Sequence, residues 1–299
     1  MIAYVTNNLD DTVSVVNLFR NAVTDTIPVG DGPAGVAVTP CGRFVYVANS
    51  LDNTVSVIRT LTNTVVATIN LGGLGVTTPY DVRVSPDGQY VYVLGSGSNN
   101  VAVISTETNS AVVVFPVSGQ PNGIGISPDG THGYISLVAT NTLSVANLDV
   151  NLEVTTLALP AGSAPTGVAV APQGSFVLVA NTGNDNLSMV DVLTNLVLPT
   201  TIAVGDGPTE IVFNRTGSRA YVTNRNDGTV SVVDTALHAQ IFTITVGDTP
   251  IGIDITAGDQ ALVVARNTAN SVAIIDTTTN TVEAVIPVCA GPLFVAVRK

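Results

Sequence analysis

Apolar and polar residues alternate along this chain in short runs of five or six. Thr54-Val55-Ser56-Val57-Ile58 and Thr229-Val230-Ser231-Val232-Val233 are examples. A period of two puts alternate side chains on opposite faces, so each run predicts a half-buried β-strand. Turn residues punctuate the runs: Pro40-Cys41-Gly42, Pro86-Asp87-Gly88 and Pro128-Asp129-Gly130, the Asn/Asp-rich Ser50-Leu51-Asp52-Asn53, and turns ending at Asn63, Asn109, Asn195 and Asn280. Proline presets φ for a turn, and glycine or asparagine supplies the positive φ that closes it. No stretch keeps helical spacing long enough to predict a helix.

The runs recur in a fixed order. Tyr4-Val5-Thr6-Asn7 returns as Tyr46-Val47-Ala48-Asn49 and Tyr221-Val222-Thr223-Asn224, with weaker copies starting at Tyr92, Tyr134, Leu178 and Val263. Prolines at 33, 79, 121, 165, 208, 250 and 292 mark the same units, at spacings of 46, 42, 44, 43, 42 and 42 residues. Four strands in about 43 residues, seven times over, predict an all-β, seven-bladed β-propeller of four antiparallel strands per blade, with residues 1–299 as one domain. The chain starts in a second strand and stops after a first strand, Phe294 to Val297. Joining one C-terminal to three N-terminal strands completes the last blade and removes both open edges.

With its Tyr-Val-Thr-Asn signature, Pro-Asp-Gly turns and Thr-Val-Ser-Val-Val-Asp strand (Thr229 to Asp234), the whole chain resembles the YVTN family of β-propeller repeats, found in archaeal surface-layer proteins and many bacterial proteins. These motifs are turn and core residues, so the resemblance implies architecture far more than function. Related seven-bladed propellers include lactonases and a lyase, so the resemblance leaves enzymatic function open.

Composition narrows the function. Hydrophobic residues make up 45% of the 299 residues and charged ones 11%, with a net charge of -12. An acidic chain with no basic run lacks the footprint of a nucleic-acid binder. The one lysine is Lys299, which removes internal Schiff-base and phosphate-loop lysines. Two cysteines are too few for a Cys-rich zinc or iron–sulfur site. No run is long and apolar enough for a membrane span, and no leader precedes the strand pattern beginning at Ile2, so a soluble chain is expected. Few lysines, many Thr, Asn and Val, and acidic charge suit an extracellular or cell-surface setting; a cytoplasmic one is the alternative.

Departures from the repeat are the candidates for function. On the innermost strand, positions three and five after each proline are uniformly apolar, whereas positions two and four are mostly Gly or Ala, small enough for blades to meet near the axis. Four charges break that rule: Asp81 and Arg83 in one blade, and Glu210 and Asp254 in two adjacent ones. Asp81 and Arg83 can pair with each other. Glu210 and Asp254 have no basic partner in their own strands, and two neighbouring carboxylates could hold a divalent cation such as calcium or magnesium, or share a proton. Solvated acids lining a channel are the plainer alternative. Tyr80 and Asn122 are expected beside these charges at the channel mouth.

The rim formed by the entry loops and the second-to-third strand turns is the expected ligand face. It carries one longer entry loop, Leu71 to Thr78, and Asn/Asp clusters such as Asn184-Asp185-Asn186. Cys41 and Cys289 should lie on opposite rims, too far apart to bridge, and His132 and His238 read as structural or solvated. No nucleophile, base and orienter converge. The expected function is therefore a non-enzymatic scaffold or binding module that recognises a protein or small ligand at the rim. The alternative is a propeller-type hydrolase or lyase, lactonase-like, with a cation-assisted site at the channel mouth.

Overall fold

The computed structural model describes residues 1–299. Seven four-stranded antiparallel sheets stand around one axis as the blades of a propeller, the architecture expected from the repeat. The innermost strands are Pro33–Val38, Pro79–Val84, Pro121–Ile126, Pro165–Val170, Pro208–Phe213, Pro250–Ile255 and Pro292–Arg298, which define blades 1 to 7. The marker proline opens each strand, where its missing N–H breaks no ladder bond. Blade 7 is Pro292–Arg298 followed by Ile2–Asn7, Thr12–Asn17 and Ala22–Pro28, so the ring closes as the repeat requires. The only helical element is a 3-10 turn, Gly72–Leu74, within the long entry loop. No helix is long and apolar enough to cross a membrane.

The core is a set of layers between blades. Seven buried apolar clusters exist, and each draws its residues from two adjacent blades. Val82 of blade 2, for example, packs with Ala37, Tyr46 and Ala48 of blade 1. Close approach requires glycine near the axis: a Cβ at Gly35 would lie 2.6 Å from the Tyr80 carbonyl oxygen of the next blade.

The repeated asparagine has a structural task. Asn7, Asn49, Asn181 and Asn224 are fully buried. Each Nδ2 donates to side-chain oxygens five and seven residues on, as Asn49 does to Thr54 and Ser56 at 2.9 Å, pinning the second strand to the third.

Two features depart from simple alternation. Every inner strand carries a bulge after its proline, so two residues oppose one on the neighbouring strand. The bulge re-aims the residue at position two relative to position four. In three blades a hydroxyl fills the gap: Thr223 Oγ1 accepts the Glu210 N–H at 3.1 Å and donates to the Ile251 carbonyl of the next blade at 2.6 Å, with Ser136 and Thr6 in the equivalent places. In blade 4 the outer strand is split into Leu196–Val197 and Ile202–Ala203. Pro199 lies between the halves and cannot donate to the ladder.

Candidate ligand cavity at the ring axis

A cavity of about 620 Å3 lies on the axis. Its wall is apolar, with Val36, Ala37, Val84, Ala169, Val212 and Ala296 among the lining residues. No residue from the first two positions of any inner strand lines it, and only Glu210 and Phe294 do so from position two. The cavity therefore starts at their level and runs toward the first-to-second strand turns, where Thr39-Pro40, Ser85-Pro86 and Pro172 form its edge. This is the rim opposite the one singled out from the loops. The long entry loop does not contribute; it buries Leu71 and Val76 in the layer between blades 1 and 2.

The charged residues come from several blades and meet across this space. Arg83 reaches across the ring: its Nη2 donates to Glu210 Oε1 at 2.7 Å, and its Nη1 lies 3.1 Å from Asp81 Oδ1. Glu210 is 7% exposed and Asp81 is 1% exposed. Asp81 faces away from the cavity. Its Oδ1 also accepts from Val82 N at 2.8 Å, and its Oδ2 accepts from Ile124 N of blade 3 at 3.1 Å. Asp254, which lines the cavity, likewise bonds across to its neighbour, blade 7. Its Oδ1 accepts from Ile255 N and its Oδ2 from Val297 N, both at 2.7 Å, and Lys299 Nζ lies 3.4 Å from Oδ1. Tyr80 packs edge-to-face on Phe294, with ring centroids 5.6 Å apart. Asn122 does not line the cavity.

Burial raises the pKa of both acidic partners of Arg83. It pushes Glu210 up to about 8 from an ordinary 4.5, against the pull of Arg83 and with the push of Asp81. It also pushes Asp81 upward, opposed by Arg83 and the two backbone N–H groups. Because Asp81 is held by those bonds at both oxygens and Glu210 at only one, Glu210 is the carboxyl that retains its proton near neutral pH. Burial likewise pushes Tyr80 up to about 12.

Of the six residues singled out from the sequence, the cavity wall thus takes Arg83, Glu210 and Asp254, with Asp81 behind Arg83, Tyr80 against Phe294, and Asn122 outside. Sequence reasoning missed Phe294 and Lys299. Lys299 follows the last inner strand directly, and the repeat spacing alone carried that signal. A divalent cation would meet two carboxylates already bonded to Arg83, Lys299 and backbone N–H groups. No group of three or more His, Cys, Asp or Glu side chains converges anywhere. The residues present do not fit such an ion. Cys41 and Cys289 are both free thiols. Hydrogen bonding with Thr39 and Arg43 brings the exposed Cys41 down to about 7. His132 lies at the start of a second strand, its Nδ1 2.7 Å from Thr131 Oγ1.

Comparison with known proteins adds the family. Residues 2–194 match the model for a YNCE-like β-propeller, and residues 167–246 match the model for a seven-bladed β-propeller lactonase. No curated protein matches the sequence. Among solved structures, one titled hydrazine synthase from Kuenenia stuttgartiensis superposes with a TM-score of 0.83 at 20% identity, over 92% of each chain. A functionally unknown protein from Desulfotomaculum acetoxidans superposes at 0.86 with 18% identity, over 99% of this chain and 98% of that one. A candidate 6-phosphogluconolactonase from Bacteroides uniformis superposes at 0.83 with 15% identity, over 98% of each. At such identities these likenesses speak for the fold alone. The YNCE-like model spans well over half of the chain, and the protein accordingly belongs to the YNCE-like β-propeller family.

Proposed function

We propose that the protein is a binding module that takes a small molecule into the axial cavity from the first-to-second turn face. One observation carries this reading: an apolar cavity of about 620 Å3 with a half-buried Arg83 paired to a buried Glu210 in its wall. That size and lining are typical of small-ligand sites, where a few polar groups fix orientation inside an apolar envelope. No His or Cys lines the cavity. The lining hydroxyl of Ser85 is engaged by Asp87 and by the Tyr90 carbonyl in a turn. The near absence of lysine and the resemblance of the repeat to surface-layer propellers favour an extracellular setting for this role.

The test is a titration with the fluorescent amphiphile 1-anilinonaphthalene-8-sulfonate. Saturable one-to-one binding is expected. Ala169→Phe, which fills the cavity from its wall, should abolish it while the far-ultraviolet circular dichroism stays unchanged. Absent binding, or binding indifferent to Ala169→Phe, would overturn the reading.

A second reading, lactone hydrolysis, has one specific support. The lactonase model covers 167–246, the segment that carries Glu210, a carboxyl poised near neutral pH to move a proton. Proton release from a δ-lactone, lost in Glu210→Gln, would favour it over binding alone.

A further inference from the structure

We propose that the ligand is an amphipathic carboxylate, its head seated between Arg83 and Glu210 and its aliphatic or aromatic tail along the valine and alanine wall. The proposal rests on the binding reading above and assigns its ligand class. It follows from which hydrogen-bonding valences are left open at the charged groups of the cavity. Both oxygens of Asp81 are used, by Val82 N and Arg83 on one and Ile124 N on the other. Both oxygens of Asp254 are used, by Ile255 N and Lys299 on one and Val297 N on the other. Neither aspartate has an oxygen free of a protein donor.

Glu210 differs. Oε1 receives Arg83, and Oε2 has no protein partner, although the residue is more than nine-tenths buried and lines the cavity. Because the carboxyl keeps its proton near neutral pH, Oε2 presents an O–H donor. Arg83 carries five N–H donors and spends three, on Asp81, Glu210 and the Val82 carbonyl, which leaves two. The open valences are therefore donors. An ammonium or guanidinium head would bring more donors against them. A carboxylate brings two acceptor oxygens, one for the Arg83 fork and one for the Glu210 O–H, both charge-assisted bonds. The charges of Asp81 and Arg83 offset each other, as do those of Asp254 and Lys299, so these two pairs add no net charge beside the head while Glu210 stays protonated.

A pH dependence follows. The titratable and charged groups around this head are Arg83 with Asp81 behind it, Asp254, Lys299 and, beyond the lining, Tyr80, held up at about 12. Glu210, pushed up to about 8, changes state through mild alkali, and once ionised it repels the bound carboxylate.

The experiment is isothermal titration of the intact chain with octanoate, 1-octanol and octylammonium at about pH 6.5, then with octanoate at about pH 9. Octanoate should bind about tenfold or more tighter than the other two, and should weaken by about tenfold or more at the higher pH. Glu210→Gln keeps a donor N–H at every pH and should bind octanoate with about the same affinity at both. If octylammonium binds more tightly than octanoate, or octanol binds as tightly, and Ala169→Phe still abolishes binding, the carboxylate assignment falls and the cavity reading stands. An octanoate affinity that stays level between the two pH values in the unaltered protein also overturns the assignment. If none of the three ligands nor the fluorescent amphiphile binds, the cavity reading itself falls.

Discussion

Arg83 holds two carboxyl groups drawn from different blades, Asp81 and Glu210. Removing one partner of a buried ion pair strands the remaining charge, at a cost of about 3–5 kcal/mol. Arg83→Ala should destabilise the protein by up to about that much in urea unfolding, because Asp81, 1% exposed, loses the cation that opposes the cost of burying its charge. Glu210 gives a signed pH dependence. Folded, it keeps its proton up to about 8; unfolded, it loses it near 4.5. The folded state binds the extra proton between those values, so this group's contribution is full below the unfolded value and is lost as pH rises toward 8. The expected loss is on the order of a few kcal/mol between about pH 5 and pH 8.5. Glu210→Gln should flatten that part of the curve, as read from melting temperature across the range. Asp87 and Asp129, lowered chiefly by turn hydrogen bonds, act in the opposite sense and in acid, so the two effects separate.

At the scale of strands, the bulge after each proline decides where charge can go. It turns Asp81 toward the Ile124 N–H of the next blade and leaves Arg83, two residues on, facing the cavity. Thr223 shows how such a bulge is satisfied. Thr223→Val removes the acceptor for Glu210 N–H and the donor to Ile251 C=O, and should cost about 1–3 kcal/mol in chemical denaturation. The split outer strand of blade 4 gives a further expectation. Amides of Leu196–Ala203 should exchange with solvent faster than those of the unbroken Ala239–Thr245. Strand placement was readable from the prolines and the alternation because both act locally. The bulges were not, because a bulge is a mismatch between two strands and neither strand carries it alone.

At the scale of the ring, the four inner charges stood out in the sequence because the repeat asks for Gly or Ala there. The Asp81–Arg83 pair was readable within one strand, but the partners of Glu210 and Asp254 were not. Arg83 and Glu210 lie 127 residues apart and meet only when the ring closes. The rim on which the cavity opens was likewise hidden, since it depends on how far side chains at each level fill the axis. Tyr80 and Phe294 pack together at one level, while alanines and valines leave space at the next. Deleting residues 292–299 would remove Phe294 from that packing and Val297 from Asp254, and would bare the edge of Ile2–Asn7. That variant should self-associate in analytical ultracentrifugation, because an unpaired strand edge recruits another.

The pairing of Ile2–Asn7 with Pro292–Arg298 also sets a timetable. On a ribosome adding roughly 5–20 residues per second, the hairpins of Ile2–Pro28 wait roughly 15–50 s for their fourth strand. Throughout that interval a strand edge stands open and the Phe294 that meets Tyr80 does not yet exist. Blades 1 to 6 can form in succession as they emerge, but the cavity has no complete wall until the final inner strand arrives. The complete cavity wall is thus acquired in one step, when Pro292–Arg298 joins the ring.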